Sequence, residues 1–250
     1  MRIEIDGGTA TAEQLAYPAL VNYGHFTAMQ LRGGRVRGLD LHLTRLRDAT
    51  RELFDADLED SLVRDRIRHA LGGTTDASVQ VRIFSPGDDI LSIMVVVREP
   101  VDMPPGPWRL RSVPYQRPVA HLKHVGGFGQ RYYERLAARD GYDDVLLTAP
   151  DGQFAETGIA NLGFLAGDTV VWPAAPALPG ITYQLLVRAL GPRSRHLPVT
   201  LADLGRYDSA FVCNSWGVAP VASIDTHPLP PPPTPHPLAE LYATLPATPP

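Results

Sequence analysis

A stretch rich in proline and glycine divides the chain into two parts. Residues 100–107 read PVDMPPGP and lie between two strand-like apolar runs. Proline and glycine at this density interrupt regular elements and are typical of a connection between folding units. We therefore predict a first domain over residues 1–101, a linker over 102–107 and a second domain over 108–250.

The first part combines strand and helix patterns. Polar and apolar residues alternate in five runs, with turn residues between them, which predicts strands at 1–6, 26–32, 35–39, 78–84 and 90–98. The turns are Gly33-Gly34 and the segment SPGDD. Apolar residues at helical spacing predict two helices, one opened by Asp40 and extending to Phe54, the other over 60–71. The pattern predicts an α+β domain.

The second part also mixes strands and helices. Short apolar runs separated by Gly and Asp turns predict strands at 108–114, 144–148, 163–165, 169–172 and 209–213. Helical patterns cover 129–140, 182–190 and 238–245. The proline-rich segment 227–237 is predicted to be extended and to strap the last helix to the second domain.

Composition excludes several classes of protein. The 250 residues carry a net charge of −4 with a pI of about 6.0, which argues against a nucleic-acid or anionic-membrane partner. One cysteine permits no internal disulfide. No apolar run approaches the roughly 20 residues of a membrane span, and MRIEIDGGTA lacks a signal core. We expect a cytoplasmic protein without a metal site, since the histidines show no metal-ligand spacing.

Lys123 is the only lysine in a chain otherwise rich in arginine. It lies in HLKHVGGFGQR, and Glu156 follows in DGQFAETGIAN. Gly180 then opens a predicted helix in PALPGITYQLL. An amine, a carboxylate and a glycine-led helix start are the three parts needed to hold pyridoxal 5'-phosphate (PLP), because the helix N-terminus favours a phosphate dianion.

The order and spacing of these segments resemble the class IV aminotransferases, the fold-type IV PLP enzymes. That family includes branched-chain and D-amino-acid aminotransferases and aminodeoxychorismate lyase. The resemblance implies an α+β fold with a smaller N-terminal α/β sandwich and a larger C-terminal pseudo-barrel domain. It also implies a homodimer and a cofactor in the cleft between the two domains.

The resemblance also assigns roles around the cofactor ring. Lys123 matches the lysine that forms the Schiff base with PLP and then moves a proton at the substrate α-carbon. Glu156 matches the carboxylate on the pyridine nitrogen. Asn161, five residues later, matches an asparagine that supports the same part of the pocket.

A second set matches the phosphate-binding residues of the family. Arg45 stands in HLTRL, which is similar to the family's H-x-x-R-L motif. Ile181 and Thr182 match the Gly-Ile-Thr amides. Asn214 stands at the phosphate position of the turn before Pro220-Val221, with Ser215 beside it.

Several positions depart from the family pattern or leave specificity open. Phe128 replaces the tyrosine that bonds the cofactor's ring oxygen in branched-chain enzymes, and the lyase branch also lacks that tyrosine. Tyr183 stands where the family usually has arginine after Gly-Ile-Thr. Tyr23, His25 and Trp216 are the candidates for contact with substrate.

The resemblance favours an aminotransferase that moves an amino group between an amino acid, or an amine, and a 2-keto acid. The alternative is a lyase like aminodeoxychorismate lyase, which releases pyruvate, because the Lys-His and Cys-Asn pairs resemble that branch. A third reading is a non-catalytic PLP-binding or interaction protein that uses the proline-rich tail for docking. Neither substrate identity nor its handedness follows from the sequence.

Overall fold

The computed structural model describes residues 1–87 and 90–250. Its α-helices are α1 (Ala12–Leu20), α2 (Leu39–Phe54), α3 (Asp60–Leu71), α4 (Phe128–Arg139), α5 (Ile181–Leu190) and α6 (Pro237–Thr244), and 3₁₀ helices span Gly191–Arg193 and Leu201–Arg206. Part of the predicted turn SPGDD, residues 88–89, lies outside the described residues.

The strands vary from 2 to 11 residues and fall in both halves of the chain. They are β1 (Arg2–Ile5), β2 (Gly8–Thr9), β3 (His25–Arg32), β4 (Arg35–Arg37), β5 (Ala77–Gly87), β6 (Ile90–Arg98), β7 (Trp108–Val113), β8 (Asp144–Thr148), β9 (Phe154–Thr157), β10 (Asn161–Ala166), β11 (Thr169–Pro173), β12 (Ser194–Leu197), β13 (Ser209–Asn214), β14 (Gly217–Ile224), β15 (His227–Pro228) and β16 (Ala247–Thr248).

These elements group into two compact units. The first unit comprises Met1–Val101, Leu122–Gly126 and Pro246–Pro250, and the second comprises Asp102–His121 and Gly127–Leu245. The sequence reading places residues 122–126 and 246–250 in the second domain, whereas their contacts place them in the first unit. The reason is backbone pairing, since β16 pairs with β4 and residue 124 forms an isolated bridge to residue 25.

The first unit is a sheet covered on both faces by helices. Its strand order is β16-β4-β3-β5-β6-β1-β2. The helices α2 and α3 pack their apolar sides on alternate residues of β3, β5 and β6, where Leu46, Ile67 and Val81 are buried. The smaller α1 packs near Phe84, on which Tyr17 stacks. This arrangement confirms the predicted α/β sandwich.

Helix α1 was missed by the periodicity argument, because Pro18 lies inside it. The sequence did carry a signal for its start. Thr11 and Gln14 form a capping box, in which the Thr11 side chain accepts from the Gln14 amide and the Gln14 side chain accepts from the Thr11 amide. The T-x-x-Q spacing that gives this box can be read directly from sequence.

The second unit contains a closed ring of six strands. Neighbouring pairs follow the order β10-β13-β14-β7-β8-β9, and β9 pairs with β10 to complete the ring. Strands β11 and β12 extend the sheet from β10, and β15 pairs with β14. Large side chains such as Phe154 and Phe164 fill the core of this unit. The predicted pseudo-barrel is confirmed, although β9, β12, β14 and β15 were not anticipated as strands.

The helices of this unit pack on its sheet. Leu186 and Leu190 of α5 share an apolar cluster with Leu238 and Tyr242 of α6. Ala137 of α4 packs in the cluster formed by β7 and β8. No helix among residues 1–87 and 90–250 has the length and apolar character needed to cross a bilayer.

We predict that Gly163→Ala destabilises the second unit. A β-carbon at Gly163 in β10 would lie 2.8 Å from Phe211 Cε1 and 3.0 Å from Trp172 Cε3, and both rings are buried. Overpacking of this kind lowers the free energy of unfolding by about 1–3 kcal/mol. Urea denaturation monitored by circular dichroism measures the change.

Gly205→Ala is the matched control. Gly205 is exposed, and a β-carbon there meets nothing within 4 Å. This substitution should leave stability unchanged or raise it slightly by restricting the unfolded chain. Equal denaturation midpoints for the two variants would contradict the packing described for β10.

Candidate functional site

Glu156 lies at the centre of a polar network in the second unit. It belongs to β9, and its side chain is only 7% exposed. Its Oε1 accepts a 3.0 Å hydrogen bond from Arg117 Nε, and its Oε2 accepts from the Leu178 amide at 3.2 Å. The Arg117 side chain is 4% exposed and also donates to the Ala120 carbonyl.

Asn161 lies directly opposite Glu156 in the β9–β10 pairing. Its Nδ2 donates to the Leu178 carbonyl at 2.8 Å, and the Gly180 amide donates to the same carbonyl at 2.8 Å. A β-carbon at Gly180 would collide with Asn161 Oδ1. Glycine is therefore required at position 180 by the close approach of Asn161, and the segment before α5 is fixed to both site strands.

The first residues of α5 are bonded to the same network of side chains. Ile181 and Thr182 are buried, and Thr182 Oγ1 donates to the Asn214 carbonyl at 2.6 Å. The Gln184 amide bonds to the Gly180 carbonyl, which is the first bond of the helix. The amides before position 184 belong to the first turn, which a helix leaves without intrahelical acceptors and which favours anions.

The turn between β13 and β14 contributes the last residues of this hydrogen-bond network. Asn214 Oδ1 accepts from the Trp216 amide at 2.8 Å, and its Nδ2 donates to the Ile159 carbonyl at 3.4 Å. Ser215 and Trp216 are half-buried in this turn. The structure thus brings Glu156, Asn161, the α5 start and Asn214 into one connected network of the second unit.

Lys123 belongs to the first unit and is fixed there by its backbone. The Lys123 carbonyl accepts from the Phe26 amide at 2.9 Å, and the Val125 amide donates to the Gly24 carbonyl at 3.0 Å. The half-buried Lys123 side chain places Nζ 4.9 Å from the centroid of the Phe26 ring. The lysine therefore lies beside β3 with a cation–π contact.

Arg45 lies in α2, three residues after His42. Burial, followed by the positive charges of Arg45 and Lys123, holds the pKa of His42 well below its usual value. His42 is therefore neutral near pH 7, and its Nδ1 shares a 2.6 Å hydrogen bond with Thr27 Oγ1. The charges of Arg45 and Lys123 therefore both act on the buried, neutral imidazole of His42.

The two first-unit candidates for substrate contact lie in different surroundings. Tyr23 is half exposed, donates to the Leu53 carbonyl at 3.2 Å and packs edge-on against Phe54. His25 is fully buried, and its Nε2 bonds to Thr50 Oγ1 at 3.0 Å. Burial lowers the pKa of His25 to about 4, so it is neutral at ordinary pH. This burial argues for a packing role for His25.

The departures from the family pattern lie at solvent-accessible positions. Phe128 begins α4 and is 80% exposed. The Tyr183 hydroxyl lies 2.5 Å from His196 Nε2, so it takes a histidine rather than an anion as its partner.

Cys213 is buried, and burial raises the pKa of its thiol, so it is an inert packing residue.

Arg117 is the site residue that the sequence reading missed. It stands in PYQRP six positions before Lys123, and no periodicity or spacing separates it from the other arginines of the chain. Only the long-range pairing with Glu156 identifies it. Its burial beside a buried carboxylate is what distinguishes it in the structure.

The donor sets of the two units fit the chemistry of PLP. In the second unit, a buried carboxylate suits a protonated ring nitrogen, and the α5 N-terminus with Asn214 suits a phosphate dianion. In the first unit, Lys123 supplies an amine and Arg45 a guanidinium. Among the described residues, no group of three or more histidine, cysteine or carboxylate side chains could hold a metal ion.

Comparison with known proteins adds a family and a fold. The family model for amino-transferase class IV matches residues 24–224. Among curated protein sequences, no relative matches the chain.

Several solved structures share the fold. A putative 4-amino-4-deoxychorismate lyase from Legionella pneumophila has a TM-score of 0.78 at 19% identity, covering 90% of each chain. A branched-chain aminotransferase from Thermoproteus uzoniensis has a TM-score of 0.81 at 19% identity, covering 97% of this chain and 93% of the other. A hypothetical aminotransferase from Mycobacterium tuberculosis, in a PLP-bound form, has a TM-score of 0.79 at 21% identity, covering 97% and 96%. At these identities the likeness establishes the fold alone.

We predict that Arg117→Met strongly destabilises the protein without any added ligand. The substitution leaves the Glu156 carboxylate buried without its counter-charge, and breaking a buried pair in this way lowers the free energy of unfolding by about 3–5 kcal/mol. Adding Glu156→Gln to Arg117→Met should recover a large part of that loss, because the remaining group is then neutral. Urea denaturation of both variants measures the effect.

Arg131→Met serves as the control, since Arg131 pairs with Glu134 on the surface of α4 and its side chain is 75% exposed. Surface pairs contribute little to stability. If Arg117→Met were no more destabilising than Arg131→Met, the buried pair would not be a structural requirement.

Proposed function

The chain belongs to the class IV aminotransferase family, whose members are PLP-dependent enzymes, and on that premise we propose that it is itself a PLP-dependent aminotransferase. It would move an amino group between an amino acid, or an amine, and a 2-keto acid. The observation that carries the proposal is the convergence of Glu156, Asn161, the α5 start and Asn214.

PLP, when bound, supplies an electron sink for the pair released as the substrate α-carbon loses its proton. Lys123 Nζ would hold the cofactor, and the same amine would move the proton at the substrate α-carbon.

The Glu156 carboxylate would accept a hydrogen bond from the protonated ring nitrogen of bound PLP. Arg117 is the buried counter-charge of this carboxylate. The Leu178 amide and Asn161, which both bond around residue 178, fix the direction of that carboxylate relative to α5.

For the phosphate we propose the amides of Ile181 and Thr182, with Asn214 and Ser215 in the neighbouring turn. The resemblance of HLTRL to the family's H-x-x-R-L motif adds the Arg45 guanidinium as the cation. A guanidinium is suited to this role because it binds phosphate oxygens through two parallel N–H donors.

A lyase is the second candidate. Phe128 has no hydroxyl at the position where branched-chain aminotransferases of the family carry tyrosine, and the Lys123-His124 and Cys213-Asn214 pairs resemble the lyase branch. The product separates the two reactions. Pyruvate released without an amino acceptor supports the lyase, and a keto acid formed only with an acceptor supports the aminotransferase.

The remaining assignments follow from the family. We propose amino acids and 2-keto acids as substrates, with Tyr23 and Trp216 as candidate contacts, and a homodimeric, cytoplasmic enzyme. Gel filtration with light scattering tests the dimer. Failure of the purified protein to take up added PLP would remove the enzyme proposal and favour an interaction protein.

We predict that Glu156→Gln lowers turnover by roughly 10- to 100-fold while PLP remains bound. A neutral amide forms a weaker bond to the ring nitrogen than a carboxylate, and a bond to a charged group contributes about 1.5–3 kcal/mol. The measurement is keto acid release with the variant saturated in PLP, as judged by its visible absorbance.

The exposed Glu13→Gln substitution in α1 is the matched control and should leave turnover unchanged. Lys123→Ala should abolish turnover, with a loss of at least roughly 10²–10⁴-fold, since it removes the base. Full activity in Glu156→Gln would contradict the role assigned to this carboxylate.

A further inference from the structure

Strand β3 holds the segment of Lys123 by its backbone. One edge of β3 pairs with β5, and the residues that pair with β4 on the other edge lie at the far end of the strand. Near its start, this second edge bonds to the lysine segment. The Phe26 amide donates to the Lys123 carbonyl at 2.9 Å, and the Val125 amide donates to the Gly24 carbonyl at 3.0 Å. The backbone position of Lys123 therefore depends on where the first residues of β3 lie.

The buried face of β3 changes character along its length. Met29 and Leu31 are apolar and share the core cluster of the first unit with residues of α2 and α3. His25 and Thr27 lie on the same face, nearer the lysine segment, and are polar and fully buried. Buried polar groups are unfavourable unless they are hydrogen-bonded. Since an apolar residue would fill the same space, burial alone does not explain these two side chains.

Both polar residues of β3 are bonded to α2, in two reciprocal His–Thr pairs. His25 Nε2 lies 3.0 Å from Thr50 Oγ1, so the strand supplies the imidazole and the helix the hydroxyl. Thr27 Oγ1 lies 2.6 Å from His42 Nδ1, so here the strand supplies the hydroxyl and the helix the imidazole. None of the four side chains is more than 3% exposed. The start of β3 is thus bonded to α2 at two points about two helical turns apart.

These hydrogen bonds constrain the junction more tightly than apolar contact can. The hydrophobic effect is non-directional, whereas a hydrogen bond weakens steeply as its angle departs from linearity. His25 Nδ1 is buried without a partner in the described part of the chain, so the bond from Nε2 to Thr50 is the one that offsets burial of the ring. The two His–Thr pairs therefore oppose sliding of β3 along α2.

Helix α2 also carries Arg45. It follows His42 by three residues, and positions three apart are neighbours on a helix surface. Bonds that fix β3 on α2 therefore fix the backbone of Lys123 relative to the backbone of Arg45, within the first unit. These two residues supply the amine and the guanidinium proposed for PLP. Because one rigid ring carries the aldehyde and the phosphate of PLP, groups that bind both must keep one spacing.

We propose that the two His–Thr pairs are positioning residues for Lys123. They fix the start of β3 on α2 and so set the spacing between the Lys123 amine and Arg45. All four side chains act through the backbone of residues 24–26, which bonds to the lysine segment. This role rests on the proposed function, since Lys123 and Arg45 take theirs from it.

Amide hydrogen exchange in the full-length protein, followed by NMR without PLP, tests the anchor. The double variant Thr27→Val, Thr50→Val removes both hydroxyls and keeps the branched shape of the side chains. The amides of Phe26 and Val125 should exchange about tenfold faster, which corresponds to the loss of about one hydrogen bond. The Val95 amide, in β6 of the same sheet, should keep its wild-type rate. An equal change at all three amides would reveal a general loss of stability and overturn the positioning role.

The chain offers both a rescue and a matched control. Thr27→Ser combined with Thr50→Ser keeps the hydroxyls and should bring the two exchange rates back toward the wild-type values. Thr44→Val removes a hydroxyl from the same helix, where half-buried Thr44 accepts from Arg47 at 3.2 Å, and should leave both rates unchanged. Wild-type exchange in the double valine variant, or an equal effect of Thr44→Val, would overturn the proposal.

The rate at which PLP attaches to Lys123 tests the link to the cofactor. Added PLP is trapped with borohydride at increasing times, and the Lys123 adduct is quantified by peptide mapping. The rate should fall about tenfold in the double valine variant and recover in the double serine variant, because a displaced amine meets the aldehyde less often in the reacting geometry.

Two outcomes separate this role from the proposed function. An unchanged attachment rate beside faster amide exchange would overturn the positioning role and leave the enzyme proposal intact. A wild-type protein that never carries PLP on Lys123 would overturn the proposed function and the cofactor role with it, while amide exchange still decides whether the two His–Thr pairs hold the lysine segment.

Discussion

The buried ion pair between Arg117 and Glu156 is the interaction on which the rest of the second unit's site depends. Removing two charges from water is unfavourable unless they are paired and their remaining bonding capacity is used. Here the second carboxylate oxygen takes the Leu178 amide, and the guanidinium also bonds the Ala120 carbonyl. A carboxylate held in this way has a fixed orientation, which is what a protonated ring nitrogen requires of its partner.

Glu156 also belongs to the strand pairing that closes the barrel. The pair Glu156–Asn161 joins β9 to β10 and closes the ring of six strands, so the strand pairing and the site geometry are one feature. Asn161 then reaches the segment before α5, and Thr182 reaches the β13–β14 turn. The site is therefore built where strand ends and a helix N-terminus meet, and its precision derives from the barrel rather than from flexible loops.

Sequence reasoning recovered the elements whose signals are local. Helix α3 was predicted with the bounds that it has, because its apolar spacing is regular and Gly72 ends it in the left-handed conformation. The barrel residues Glu156, Asn161, Thr182 and Asn214 were named from motif order, and the structure places them in one network. Features defined by distant contacts could not be read from the chain. Arg117 resembles every other arginine until its partner is known, and residues 122–126 pair with residues 24–26, which are distant in sequence. His25 was named as a candidate for substrate contact, and the fold buries its side chain.

The most direct test of the account is reductive trapping of PLP followed by peptide mapping. The chain has a single lysine, so borohydride treatment of the PLP-loaded protein offers only Lys123 and the N-terminal amine as sites of attachment. We expect a visible band that disappears on reduction, with a pyridoxyl adduct on the peptide that contains Lys123 and none in Lys123→Ala. An adduct confined to the N-terminus, or an unmodified protein after incubation with PLP, would contradict it.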